Sequence, residues 1–285
     1  DASVEVPPHL LSHSDQVAIQ QGWGAADDAS GWAGRLLEEL PASLRHPRAA
    51  CTFSTHRTLV QGRRTPVSEV SVDPDGLRYW GRVDVADPAE LWTRELTRLA
   101  QLQSANAYAA EYGRTIGAAL TDAAALTEAF AAGTAPSADF GSGSLADALR
   151  TMATLLPGFK SLGYRRQVFL LNWGQFDTHA NQRGSAQWTQ DAQLTVMARA
   201  LAAFDAANRA SGVDGDVATL VMSDFGRTLR PVSGGGSDHA WGNHVFAGPQ
   251  AAQQAPIIAS RRCAARLRSR EARAKLAAKR AAEPG

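Results

Sequence analysis

The stretch QVFLLNWGQFDTH, Gln167–His179, passes from an uninterrupted apolar run into a polar one. Gln167–Trp173 reads as a strand buried on both faces, because a strand covered by helices on two sides has no polar face to alternate with. Gly174–His179 then leave that strand carrying Asp177 and His179. A helix is expected from about Ala186 to Asn208, with Leu194, Met197, Leu201 and Phe204 as its buried stripe. Gly212–Gly215 reads as a turn, and Asp216–Met222 as a second buried strand that ends in SDFGRT, Ser223–Thr228. Strand, helix and strand in this order imply a parallel pair with a right-handed crossover. The expected fold class is therefore α/β, a mostly parallel sheet flanked by helices. Ligands of such sheets bind just beyond the carboxyl ends of the strands, where Asp177, His179 and Asp224 fall.

Upstream, a short helix is expected to start near Ser12 or Ser14, and Gly31–Leu40 reads as a helix stopped by Pro41. Residues 50–72, rich in Thr, Val and Ser, read as strand or extended loop. Residues 88–132 form the longest helical stretch and are expected as a helical insertion, followed by a Gly/Ser/Pro-rich loop over Thr134–Ser144 and a helix over Leu145–Leu156. No internal repeat is present.

Asp and His at strand ends are the usual parts of an oxygen/nitrogen metal site. Asp177, His179, Asp224, Asp238, His239 and His244 all fall in expected loops at one sheet edge; Asp and His are also common in loops as caps and turn formers. Gly234–Gly236 reads as a flexible linker more readily than as a phosphate cradle. Ser12-His13-Ser14 reads either as a plain N-cap or as the place of a nucleophile at a helix N-terminus. Arg227 is a candidate catalytic clamp for an oxyanion, or the partner of Asp224 in a salt bridge. His9, His46 and His56 read as surface residues.

Composition closes off several classes. The 285 residues are 44% hydrophobic and 20% charged, which fits a globular chain and not a disordered one. The longest apolar runs, such as Val168–Leu171, fall far short of the ~20 residues a membrane helix needs. Two cysteines, Cys51 and Cys263, make neither a disulfide framework nor a cysteine zinc site. The net charge of +1 hides an asymmetry: residues 261–285 hold nine Lys+Arg and two acids, Glu271 and Glu283, against a mildly acidic body. That tail has no interleaved aromatics, so nucleic acid is not expected as a partner.

Together, GQFDTH (Gly174–His179), a helix, SDFGRT (Ser223–Thr228) and SDH (Ser237–His239) resemble the DUF1501 family. So do LLSHSDQ (Leu10–Gln16) and GWAGRLL (Gly31–Leu37), and the likeness covers roughly residues 8–248. The resemblance implies placement in the alkaline phosphatase/sulfatase-like superfamily, whose enzymes bind two divalent cations through Asp and His and use a Ser or Thr nucleophile at a helix N-terminus. It implies an alkaline-phosphatase-like sheet, with Asp177, His179, Asp224, Asp238, His239 and His244 as metal ligands and Ser12 as nucleophile. The implied function is metal-dependent hydrolysis of small-molecule or glycan phosphate or sulfate esters, with zinc, calcium or manganese as cofactor. The alternative is a non-catalytic family member binding an anionic or carbohydrate ligand at the cell envelope. Export in a bacterium, to the periplasm or outside, is implied as well. Residues 1–248 are expected to form the domain, lacking the usual opening strand, and 249–285 a poorly packed basic tail.

Overall fold

The computed structural model describes residues 11–22, 29–46, 48–54, 56–70, 91–240 and 245–247. In chain order the elements are α1 (His13–Gln20), α2 (Trp32–Glu38), β1 (Ala50–Thr52), β2 (Ser68–Glu69), α3 (Leu91–Ala100), α4 (Ala107–Ala132) and α5 (Ser144–Ser161). There follow β3 (Val168–Leu170), α6 (Gln190–Ala210), β4 (Leu220–Met222), β5 (Gly226–Arg227), β6 (His239–Ala240) and β7 (Val245–Ala247).

The strands β2, β1 and β3 form a parallel sheet in that order, with Ala50 opposite Val168 and Thr52 opposite Leu170. Successive strand residues point to opposite faces, and each face has its own core. Cys51 and Phe169 face Leu126, Leu155 and Phe159 of α4 and α5. Ala50, Val168 and Leu170 face Leu37 of α2 and Val60. Helices thus cover the sheet on both sides, which establishes the α/β class. A third cluster, built on Phe140, Leu149, Met152 and Phe204, joins α5 to α6.

The expected strands are shorter and more exposed than the apolar runs promised. Val168–Leu170 is half-buried, because β3 has β1 on one edge and no strand on the other among the described residues. β4 begins only at Leu220, after a 3-10 turn at Asp214–Asp216, and its first residue is exposed. It pairs antiparallel with β7, so the expected parallel ladder between β3 and β4 is absent among the described residues. A hydrophobic run reports burial tendency, not which neighbour completes the ladder.

The helical stretch expected over 88–132 is two helices; its first three residues lie outside the described ones. The break at 101–106 has a local cause. The Asn106 side chain accepts from Tyr108 N at 3.0 Å and Ala109 N at 3.2 Å, restarting the helix as an N-cap. α5 runs past the expected end at Leu156 and includes Pro157. The next residue explains the close packing there: a Cβ on Gly158 would lie 1.8 Å from Ala129 O, so α4 and α5 cross backbone to backbone. The short helix near Ser12, the helix within Gly31–Leu40 and the loop before Ser144 match the structure. No described helix is long and apolar enough to cross a membrane. The tail, 249–285, lies outside the described residues.

Candidate metal centre

Asp177 stands past the carboxyl end of β3, on a segment held by α6. Gln193 Nε2 donates to Gln175 O and Gln190 Nε2 to Phe176 O, each at 2.8 Å. Both glutamines lie in the first turn of α6, which Thr189 caps by accepting from Ala192 N. Two side chains thus fix the backbone just before Asp177, including Gln175 at its left-handed φ of 79°.

The glycine run is not a flexible linker. Asn181 N donates to Gly234 O at 2.9 Å and Gln182 N to Gly235 O at 3.1 Å. Gly236 lies so close that a Cβ there would sit 2.0 Å from the carbonyl carbon of His179. The run is a brace laid along the His179–Gln182 backbone, and it leads directly into Ser237, Asp238 and His239.

SDFGRT and SDHA are the two sides of a small antiparallel ribbon. β5 pairs with β6 so that Arg227 stands opposite His239, and Asp238 N donates to Thr228 Oγ1 at 3.0 Å. Cross-strand partners share one face of a ribbon, and both reach Asp177 Oδ1: His239 Nε2 at 3.0 Å and Arg227 through an ion pair. Arg227 also donates from Nε to Ser237 Oγ at 3.0 Å and from its other terminal nitrogen to Ser237 O. Its expected partner was Asp224; the structure pairs it with Asp177, because the ribbon turns its side chain toward the β3 segment. Three of its five N–H donors are committed there.

His13, the first residue of α1, completes the group. Its Nδ1 lies 2.7 Å from Asp224 Oδ2 and its Nε2 3.2 Å from Asp177 Oδ2. Phe225, buried, packs beneath the imidazoles, with ring centroids 4.5 Å from His13 and 4.3 Å from His239. His239 Nδ1 lies 2.6 Å from Leu11 O. A carbonyl oxygen only accepts, so His239 carries a proton on Nδ1, and the Asp224 carboxylate places one on His13 Nδ1 in the same way. As neutral rings protonated on Nδ1, both would turn an Nε2 lone pair to the Asp177 carboxylate. Acceptor facing acceptor calls for a cation or a proton between them. Metal-binding histidines are held in this manner, with the second nitrogen on a carboxylate or backbone carbonyl.

Without a metal, a proton fills that place on His13. The His13 pKa is raised: its bond to Asp224 outweighs burial, and Asp177 adds to the effect. Burial pushes Asp177 upward, yet Arg227 and His13 overcome it and hold its carboxyl well below the usual carboxylate range.

Five of the six expected ligands converge. His179 Nε2 lies 2.9 Å from Asp177 Oδ1 and 3.2 Å from His239 Nε2, and His179 Nδ1 lies 3.7 Å from Asp238 Oδ1. Asp224 reaches the group through His13. Two sets, His13–Asp177–His239 and His179–Asp238–His239, have donor atoms within 4.8 Å of one another. His244 lies outside the described residues, as does His9. Ser12 has the backbone geometry of an N-cap, but its hydroxyl does not cap α1; it bonds Ser14 Oγ at 2.9 Å. His46 is half-buried and not a plain surface residue, stacked 3.8 Å from the Tyr164 ring, whereas His56 is exposed. Reasoning from sequence passed over His13. The signal was an imidazole at the first position of a helix, between two serines already singled out for that position.

A two-sided α/β sheet with a His/Asp cluster beyond one strand end is the class that fold and site define. Residues 1–250 match the family described as a protein of unknown function, DUF1501, and the chain belongs to that family. No curated protein and no solved structure matches it.

Proposed function

We propose that this DUF1501 chain is a divalent-metal-dependent hydrolase of phosphate or sulfate esters, with the alkaline-phosphatase-like architecture its motifs imply. One observation carries the reading: the Nε2 atoms of His13 and His239 converge on Asp177 while Asp224 and the Leu11 carbonyl hold the opposite nitrogens. The donor set fits an ion of the zinc or manganese kind better than calcium, which prefers six to eight oxygens. When bound, such an ion polarises an ester oxygen and stabilises charge on the leaving group.

The chain's own residues divide the remaining work. Asp177, held ionised by Arg227, supplies the carboxylate of the site. Phe225 shields one side of the imidazoles from water. Ser12 lies between Leu11 and His13, both of which touch the cluster, and its Oγ is the proposed nucleophile, hydrogen-bonded to Ser14 Oγ. An exported location suits the reading and follows from family resemblance alone.

The test is metal analysis of the purified chain together with turnover of 4-nitrophenyl phosphate and 4-nitrophenyl sulfate. Bound zinc or manganese, with turnover lost in Ser12→Ala and in His13→Ala, is the expected result. Bound metal without turnover of any ester would favour the non-catalytic envelope protein that binds an anionic or carbohydrate ligand. A chain that binds no divalent ion would refute the hydrolase.

A further inference from the structure

The two donor sets in the cluster share one residue, His239. Its Nδ1 is committed to Leu11 O at 2.6 Å, which leaves the single lone pair of Nε2. One lone pair binds one ion, so the two sets exclude each other. They are also unequal. In the first, His13 and His239 each have the far nitrogen anchored, at 2.7 and 2.6 Å. In the second, the nearest partner of His179 Nδ1 among the described residues is 3.7 Å away, beyond hydrogen-bond reach, and Asp238 Oδ1 already accepts from His239 N at 2.8 Å. Only in the first set is the direction of both imidazoles fixed before an ion arrives.

Charge gives an independent count. Three carboxylates meet here, Asp177, Asp224 and Asp238, together with one guanidinium, Arg227. The imidazoles are neutral when they ligate. The sum is two negative charges, the complement of one divalent cation. The guanidinium is permanently charged and largely buried, its side chain 14% exposed. It is seated on Asp177 Oδ1, the oxygen that His179 and His239 also face, at 2.9 and 3.0 Å.

Resting on the metal-site reading above, we propose that the cluster holds a single divalent cation, ligated by His13, Asp177 and His239, and that Arg227 takes the place of a second cation. Arg227 is then a positioning residue. It turns Asp177 so that Oδ2 faces His13, and it makes the site mononuclear by charge. His179 acts from outside, donating from Nε2 to Asp177 Oδ1.

Equilibrium dialysis of the full chain against zinc and against manganese, with elemental analysis, tests this. One ion per chain at saturation is expected for the native protein. Arg227→Gln removes the charge and should take up a second ion; Arg227→Lys keeps the charge and should return the count to one. Loss of an outer-shell partner typically costs 10–100-fold in metal affinity, so His13→Ala should weaken the ion by more than ~100-fold and His179→Ala by less. Two ions in the native chain would overturn this inference and leave the metal reading standing. No ion would overturn both. A count of one in Arg227→Gln with unchanged affinity, or equal losses in His13→Ala and His179→Ala, would remove the roles assigned to those residues. Should Arg227→Gln fail to fold by circular dichroism, the native count and the two histidine variants still decide the ligand set and the stoichiometry.

Discussion

Gly236→Ala probes how the centre is built without touching a donor atom. An added Cβ would lie 2.0 Å from the His179 carbonyl carbon, 2.2 Å from its oxygen and 2.3 Å from Ala180 N. All three are backbone atoms, so no rotamer change relieves the clash. Carbon contacts are comfortable at about 3.5 Å, so the brace and the His179 segment must part by roughly 1.5 Å. Overpacking of this kind costs about 1–3 kcal/mol. The separation also strains the bonds from Asn181 N to Gly234 O and from Gln182 N to Gly235 O, each worth about 1 kcal/mol. The expected loss is therefore about 3 kcal/mol. Gly235→Ala is the control: nothing among the described residues lies within 4 Å of its Cβ, and only its φ of +76° is penalised. That penalty is about 1–2 kcal/mol. Urea unfolding followed by tryptophan fluorescence separates the two, since 3 kcal/mol moves the midpoint by about 1 M at a slope of ~3 kcal/mol per molar. A Gly236→Ala midpoint equal to or above that of Gly235→Ala, with metal affinity unchanged, would show that the run does not press on the His179 backbone.

Three further outcomes are expected. The folded pKa of His13 is raised above 6.5, mainly by Asp224, so its ion pairs stabilise the metal-free protein fully below that value and are lost as pH rises through the elevated one. Metal-free thermal melts between pH 6 and 8 should fall for this reason and flatten in His13→Ala, while zinc affinity should move the other way, because a proton on Nε2 excludes the ion. Buried Glu38 is pushed up by desolvation but held below its usual value by donations from Arg64 N at 2.5 Å and Thr65 N at 2.8 Å. Its stabilising effect is present above the ordinary glutamate pKa and disappears as pH falls through the lowered one; Glu38→Ala, which orphans both N–H groups, should cost about 2–3 kcal/mol at neutral pH by urea melt. Burial pushes the Cys51 thiol up to about 12, so peptide mapping after iodoacetamide treatment should find Cys51 unmodified in the native protein and alkylated only after denaturation.

Much of the centre was legible before any coordinates. An apolar run ending in Gly-Gln-Phe-Asp-Thr-His, and another ending in Ser-Asp-Phe-Gly-Arg-Thr, place Asp177, His179 and Asp224 at strand ends, because chain direction and periodicity are local properties. The end of α2 before Pro41 was equally readable, whereas the break that Asn106 caps and the end of α5 were not. The lengths of β3 and β4 were not, because hydrophobicity registers burial and is silent about which backbone completes the ladder.

The choice of partners was decided only by tertiary structure. His13 and Asp224 lie 211 positions apart and bond at 2.7 Å; nothing in the neighbourhood of either names the other. Arg227 had Asp224 three residues away, yet it pairs with Asp177, because antiparallel pairing of β5 with β6 sets its side chain on the face shared with His239. The glycine run reads as flexible in isolation and is a brace in the fold, since a missing side chain permits close approach but only packing supplies the segment that approaches. Sequence by itself determined which chemical groups the chain carries at its strand ends. Long-range docking of α1 and of the β5–β6 ribbon decided which of them meet, since that depends on contacts no local pattern encodes.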